Sequence, residues 1–255
     1  MKKLICVLTA VMMTAVLMTA CSGKEGPTPD SIKKAGKLII ATSPDYPPFE
    51  FMEGGTPVGI DMEIAKAVAD DLGVELQIDT MDFDGVLTSI SSGKCDLGVS
   101  ALSIKPERLE EMEFSDAYFD SVVKIAVQAG NDEIKGSADL SGKKVSAQMG
   151  TIAAGIAEDL GAEVITMRKD SEAVAELIAG RVDAFMTDSS PAAVHVANSN
   201  GALVLLDEDL AYDDTYHIAT KKGNTELIEA VNKTIARLKS SGEMDSILEK
   251  YLGGE

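Results

Sequence analysis

Histidine and cysteine are scarce. Only His195 and His217 occur in 255 residues, and neither has a carboxylate or cysteine at metal-ligand spacing, so no metal site is expected. Of three cysteines, Cys6 lies in an apolar leader and Cys21 at its end, leaving Cys95 alone in the body. That excludes an internal disulfide framework. Cys95 sits between Lys94 and Asp96 at a helix-to-strand junction with no histidine near in sequence, so it reads as a packed thiol rather than a nucleophile. Basic residues are few as well, 23 against 42 acids, for a formal charge of −19. Such a surface repels phosphate backbones, and without a local basic patch no nucleic acid is expected as partner. Enzymatic signatures are missing. Gly150-Thr151-x3-Gly155 lacks the lysine of a phosphate loop and the third glycine of a dinucleotide fingerprint, and no G-x-S-x-G elbow occurs. Glu110-Glu111 and Asp207-Glu208-Asp209 read as solvated faces, and no acid stands out as a catalytic cleft acid. Neither enzyme chemistry nor a cofactor is expected.

The chain opens on Lys2 and Lys3, followed by an apolar run from Leu4 to Ala20 that is short for a membrane span and ends in small residues. Residues 1–20 are therefore expected to be a signal peptide. The segment Leu17-Met18-Thr19-Ala20-Cys21-Ser22-Gly23 resembles the bacterial lipoprotein cleavage signal, with Met18 where that pattern usually has Leu. The resemblance implies a lipidated Cys21 that tethers the body to the outer face of the cell membrane. An uncleaved anchor helix is the alternative. Gly23, Gly26, Pro27 and Pro29 mark 21–34 as lipidated N-terminus and linker.

Hydrophobic residues form 45% of the chain, enough for a buried core in one or two domains. Short apolar runs alternate with helical patterns. Leu38-Ile39-Ile40-Ala41 is strand-like, and Ile60, Ile64, Val68 and Leu72 share a helix face that stops at Gly73. The alternation continues to a helical end over Leu227–Leu252, broken near Ser241-Gly242, and predicts an α/β fold with parallel strands. Leu87-x2-Ile90-x2-Gly93-Lys94-x-Asp96-Leu97 is echoed by Val174-x2-Leu177-x2-Gly180-Arg181-x-Asp183-Ala184. Two similar lobes explain the echo; a coincidence of common helix stops is the alternative. Each copy runs into a polar strand end, Ser100-Ala101-Leu102-Ser103 and Thr187-Asp188-Ser189-Ser190, where ligands bind in open parallel sheets.

Five motifs then occur in order: 41–51 (Ala-Thr-Ser-Pro-Asp-Tyr-Pro-Pro-Phe-Glu-Phe), Gly59-Ile60-Asp61, Met81-Asp82-Phe83-Asp84-Gly85, 103–108 (Ser-Ile-Lys-Pro-Glu-Arg) and Phe114-Ser115-Asp116-Ala117-Tyr118. Together they resemble the extracytoplasmic solute-binding proteins of polar amino-acid ABC transporters (bacterial solute-binding protein family 3, with the type II periplasmic-binding fold), over about Lys37 to Leu252. The resemblance implies two α/β lobes with mixed, mostly parallel sheets joined by two hinge strands around a ligand cleft. It places lobe one at 35–118 and 217–255, lobe two at 123–211, and the hinge strands at 119–122 and 212–216.

It also implies the site. A free amino acid needs a planar cation for its carboxylate and an anion for its ammonium. Arg108 matches the carboxylate-binding arginine, supported by Ser103 and Thr151. Asp188 matches the ammonium-binding aspartate, although an aspartate at a strand end can instead cap the next helix. Ser100 matches a position that faces the ammonium, and the adjoining Ala101 is implied as a further ligand-binding residue. Tyr46 and Phe83 match aromatics that sandwich the ligand side chain, and Ser43, Asp45, Gln148 and Thr187 match positions that vary with side-chain choice. Relatives that bind basic or amide side chains often carry an acid where this chain has Ser43; Asp45 supplies a negative charge two residues on, so the preference inclines to a basic or polar neutral amino acid. Ile60 and His217, where the family often has Phe and Gly, imply packing changes. The implied protein is a monomeric receptor that closes on a free L-amino acid and delivers it to the transmembrane subunits of an ABC permease. An enzyme on the same fold, similar to cyclohexadienyl dehydratase, and a ligand-sensing subunit are the alternatives.

Overall fold

The computed structural model describes residues 26–253, with the backbone alone at 211–213. The expected signal peptide over 1–20 and the lipidation at Cys21 lie outside the described residues. The expected linker is partly a helix, α1 (Pro29–Ala35). Thr28 and Ser31 form a reciprocal capping box, Pro29 occupies the first helical position where its missing N–H costs nothing, and Ile32 is buried. Gly and Pro density alone could not distinguish this start signal from a linker.

From there the chain runs through β1 (Lys37–Thr42), a small antiparallel sheet of β2 (Asp45–Tyr46), β3 (Glu50–Glu53) and β4 (Thr56–Val58), then α2 (Ile60–Leu72), β5 (Glu75–Thr80), α3 (Phe83–Ser92), β6 (Leu97–Ser103), α4 (Pro106–Glu111) and β7 (Met112–Phe114). It crosses along β8 (Phe119–Gln128) to β9 (Lys144–Gln148), α5 (Ile152–Asp159), β10 (Glu163–Met167), α6 (Asp170–Ile178), β11 (Ala184–Asp188), α7 (Ser189–Asn198) and β12 (Leu203–Leu205). It returns along β13 (Leu210–Lys221) and ends in α8 (Thr225–Ser241) and α9 (Glu243–Leu252), divided by left-handed Gly242.

One curled sheet orders the strands β10-β9-β11-β8-β13-β6-β1-β5. Two parallel triplets, β5-β1-β6 and β10-β9-β11, form the two lobes, and β8 and β13, antiparallel to each other, join them. In each lobe alternate side chains feed opposite faces. Leu38 and Ile40 of β1 pack with α2 and α8, whereas Ala41 packs with Val86 and Ile90 of α3. In the second lobe Val145 and Met186 meet Ile156 of α5, and Phe185 meets Leu177 of α6. The lobes have separate cores.

The sequence echo has a structural cause. Asp96 accepts from the Ile39 amide at 2.8 Å, and Asp183 accepts from the Lys144 amide at 2.8 Å. Each aspartate pins the neighbouring parallel strand at the point where its own strand begins. Cys95 is buried, as its position suggested.

Gly59 determines the geometry around the cleft. It sits at φ +126°, where a Cβ would lie 2.2 Å from the Phe49 carbonyl oxygen. Without a side chain there, the amide of Asp61 reaches the Phe49 carbonyl at 3.0 Å, bringing the start of α2 against the start of β3. Glu50 and Asp61 thereby become neighbours.

Candidate functional site

The polar ends of β6 and β11 meet in one cavity of about 350 Å³ between the lobes. Ten of the twelve sequence-predicted ligand residues line it: Ser43, Tyr46, Phe83, Ser100, Ala101, Ser103 and Arg108 from the first lobe, and Gln148, Thr151 and Asp188 from the second. Asp45 and Thr187 do not line it. Asp45 accepts from the Asp170 amide at 2.8 Å, and the Thr187 hydroxyl donates to Tyr46 Oη at 3.2 Å behind the wall.

Arg108 is the third residue of α4, whose break from β6 is set by Pro106. Its guanidinium donates to the Ser103 carbonyl at 2.7 Å and, across the cleft, to the Gly150 carbonyl at 2.8 Å, while lying 5.5 Å over the Phe83 ring. Burial pulls its pKa down to about 10, with Glu107 and Asp214 opposing, so it stays cationic at neutral pH.

Asp188 begins α7 but makes no side-chain capping bond, which removes the capping explanation for this residue. Its Oδ2 instead accepts from Tyr46 Oη at 2.6 Å and Tyr216 Oη at 2.5 Å. Burial, followed by the charge of Asp214, pushes its pKa up to about 7, with the two tyrosines restraining the rise. Asp188 is therefore a buried acid with phenol partners and no basic residue bonded to it among the described residues, an arrangement that favours an incoming cation.

Several hydroxyls are already engaged with protein. Ser103 Oγ donates to Asp214 at 3.0 Å, and Thr151 Oγ1 caps α5. Gln148 donates to the Arg168 carbonyl at 3.2 Å. Ala101 holds a left-handed φ of +45°, unusual for a residue with a side chain, and its amide donates to Asp61 at 2.8 Å.

A buried carboxyl pair escaped the sequence reading. Glu50 lines the cavity at 1% exposure; Oε1 accepts from Ser100 Oγ at 2.7 Å, and Oε2 has no hydrogen-bond partner among the described residues. Burial first, then the charge of Asp61, holds the Glu50 carboxyl well above the usual range. Asp61 itself is raised to about 6 by burial, against hydrogen bonds from Tyr118 and the Ala101 amide. Both residues sit inside motifs that carried the resemblance, but their pairing depends on the close approach at Gly59. The available signal was Glu50 lying between Phe49 and Phe51. Ile152 was also missed, an apolar wall residue with no distinguishing pattern. No group of three His, Cys, Asp or Glu among the described residues is placed to hold a metal ion.

Residues 38–254 match the family model for bacterial extracellular solute-binding proteins, family 3. The arginine-binding extracellular protein ArtP of Bacillus subtilis is 32% identical over 259 residues, covering 100% of both chains. A crystal structure of the amino-acid ABC transporter substrate-binding protein AbpA from Streptococcus pneumoniae, bound to L-arginine, superposes with a TM-score of 0.82 at 38% identity, covering 87% of this chain and 97% of that one. The ancestral amino-acid-binding protein AncCDT-1, a precursor of cyclohexadienyl dehydratase, gives 0.81 at 33% identity, covering 88% and 98%. A matched model that runs through both lobes, together with relatives of the same architecture and length, shows that the chain belongs to the bacterial extracellular solute-binding proteins, family 3.

Proposed function

We propose that the protein captures a free L-amino acid in the cavity and closes on it, with lobe one at 35–118 and 217–255 moving against lobe two at 123–211 about 119–122 and 212–216. One observation carries this reading: Arg108 and Asp188, a cation and an acid and both buried, face the same cavity from different lobes. The ligand carboxylate lies on Arg108, flanked by Ser103 and Thr151, and the ammonium on Asp188, flanked by Ser100 and Ala101. Tyr46, Phe83, Ser43 and Gln148 enclose the side chain. A zwitterion then bridges the lobes and favours the closed state.

The side chain is basic, with polar neutral ones second. Glu50 in the cavity wall and Asp61 beside it support this, because a cationic group nearby offsets the cost of charging two buried carboxyls. Cys21 carries the lipid, the body stands as a monomer at the outer face of the membrane, and the closed form delivers its ligand to the permease.

Calorimetric titration of the body from residue 22, stripped of carried-over ligand by unfolding and refolding, tests the reading against all common L-amino acids. Micromolar or tighter binding to one or a few supports it; binding to none sinks it. Membrane release by Cys21→Ser tests the anchor. Glu50 and Asp188 give a second reading its foothold, since a cleft acid with a raised pKa is what dehydratase chemistry requires. Turnover of a prephenate-like compound would decide for that enzyme.

A further inference from the structure

Helix α6 starts without a cap from its own lobe. Its N-cap residue is Lys169, which carries only donors and makes no capping bond, whereas α3 and α5 are capped by Asp82 and Thr151. The first helical residue, Asp170, is fully buried, and its carboxylate is turned towards His195 Nε2 at 2.8 Å. The acceptor for the Asp170 amide comes from the other lobe: Asp45 Oδ2, at 2.8 Å. The second oxygen of Asp45 accepts from Ser43 Oγ at 2.9 Å, and Ser43 lines the cavity although Asp45 does not.

We propose that Asp45 sets the strength of cleft closure without reading the ligand, by capping α6 across the cleft. This rests on the closing-cleft reading above. The bond joins residues of opposite lobes and so exists only when they are together. A carboxylate at a helix N-terminus satisfies an otherwise orphaned donor and meets the positive end of the helix dipole. Every ligand that closes the cleft gains the same amount, because none of them touches this bond. The neighbouring crossing pair, Arg168 with Asp82, has a guanidinium 77% exposed and adds little by comparison. Asp45 thus governs affinity, and the ranking of ligands belongs to the cavity wall.

The test uses the intact chain in mild detergent, titrated with L-arginine, L-glutamine and L-histidine, with dissociation followed by stopped flow. Asp45→Ala weakens binding about five-fold, by the same factor for each amino acid bound and through faster dissociation. Asp45→Asn keeps an acceptor and recovers most of the loss. A changed ranking overturns the proposal by making Asp45 a reader of side chains, and unchanged affinities overturn it by making the bond inconsequential. If the wild-type protein binds none of the three, the basic-or-polar receptor reading falls and this proposal with it; tight wild-type binding with no Asp45 effect removes the cap alone.

Discussion

Binding at Asp188 should expel a proton, and the amount follows from the site. With the lobes together, this carboxyl is held at a pKa of about 7, because burial and Asp214 disfavour its charge. An ammonium group beside it restores the charged form. With the lobes together and no ammonium beside it, Asp188 is about nine-tenths protonated at pH 6 and about one-tenth at pH 8. Proton release on binding an amino acid therefore falls by about 0.8 between those pH values, and affinity weakens towards tenfold per unit below pH 6. The assay is calorimetry with L-arginine in buffers of different ionisation enthalpy; the slope of observed heat against buffer enthalpy counts protons. Equal release at pH 6 and pH 8, or uptake at pH 6, refutes the assignment of Asp188 to the ammonium. The same shift bears on stability. The folded pKa exceeds the unfolded value of 3.8, so the ligand-free fold binds more protons than the unfolded chain between about pH 4 and 7. The contribution of Asp188 to stability is then greatest below about pH 4 and is lost as pH rises to about 7, which a melting series of wild type against Asp188→Asn shows directly.

Arg108→Ala should cost amino-acid affinity about 2–5 kcal/mol, about a thirty-fold loss or more, with Arg108→Lys intermediate because the charge stays and the fork is lost. Titration measures it, and a fully folded variant within ten-fold of wild type contradicts the carboxylate role. Glu50→Gln should lower L-arginine affinity about ten-fold relative to L-glutamine; equal change for the two amino acids excludes Glu50 as a partner of a cationic side chain. Gly59→Ala forces a Cβ to 2.2 Å from a backbone oxygen at a positive φ and should destabilise by about 3 kcal/mol or more, read from urea unfolding.

Local chemistry made much of this legible. The helix over α2 announced itself by Ile60, Ile64, Val68 and Leu72 and stopped at Gly73 in the left-handed conformation. The strand ends at Ser100–Ser103 and Thr187–Asp188 pointed to the cleft because parallel sheets open there. What stayed hidden depended on distant partners. Glu50 and Asp61 are ordinary acids until Gly59 folds one against the other. The resemblance put Asp45 among the ligand residues, but its carboxyl accepts from the Asp170 amide, 125 positions away. The capping box at Thr28 was local and still obscured, because the same glycines and prolines that precede it also describe a linker.

The threading of the chain has a consequence for how it is built. Ser103 of β6 bonds Asp214 of β13, 111 positions later, with the whole of the second lobe between them. A flexible loop of that length pays a closure entropy that no single contact recovers. The intervening segment is instead a contiguous unit with its own core, and once it folds, its two exits run out side by side as β8 and β13. The second lobe then acts as a splint: its collapse delivers β13 to the edge of β6. The first lobe, interrupted in sequence, should be completed last, and lesions in the second lobe's core should slow the assembly of the first.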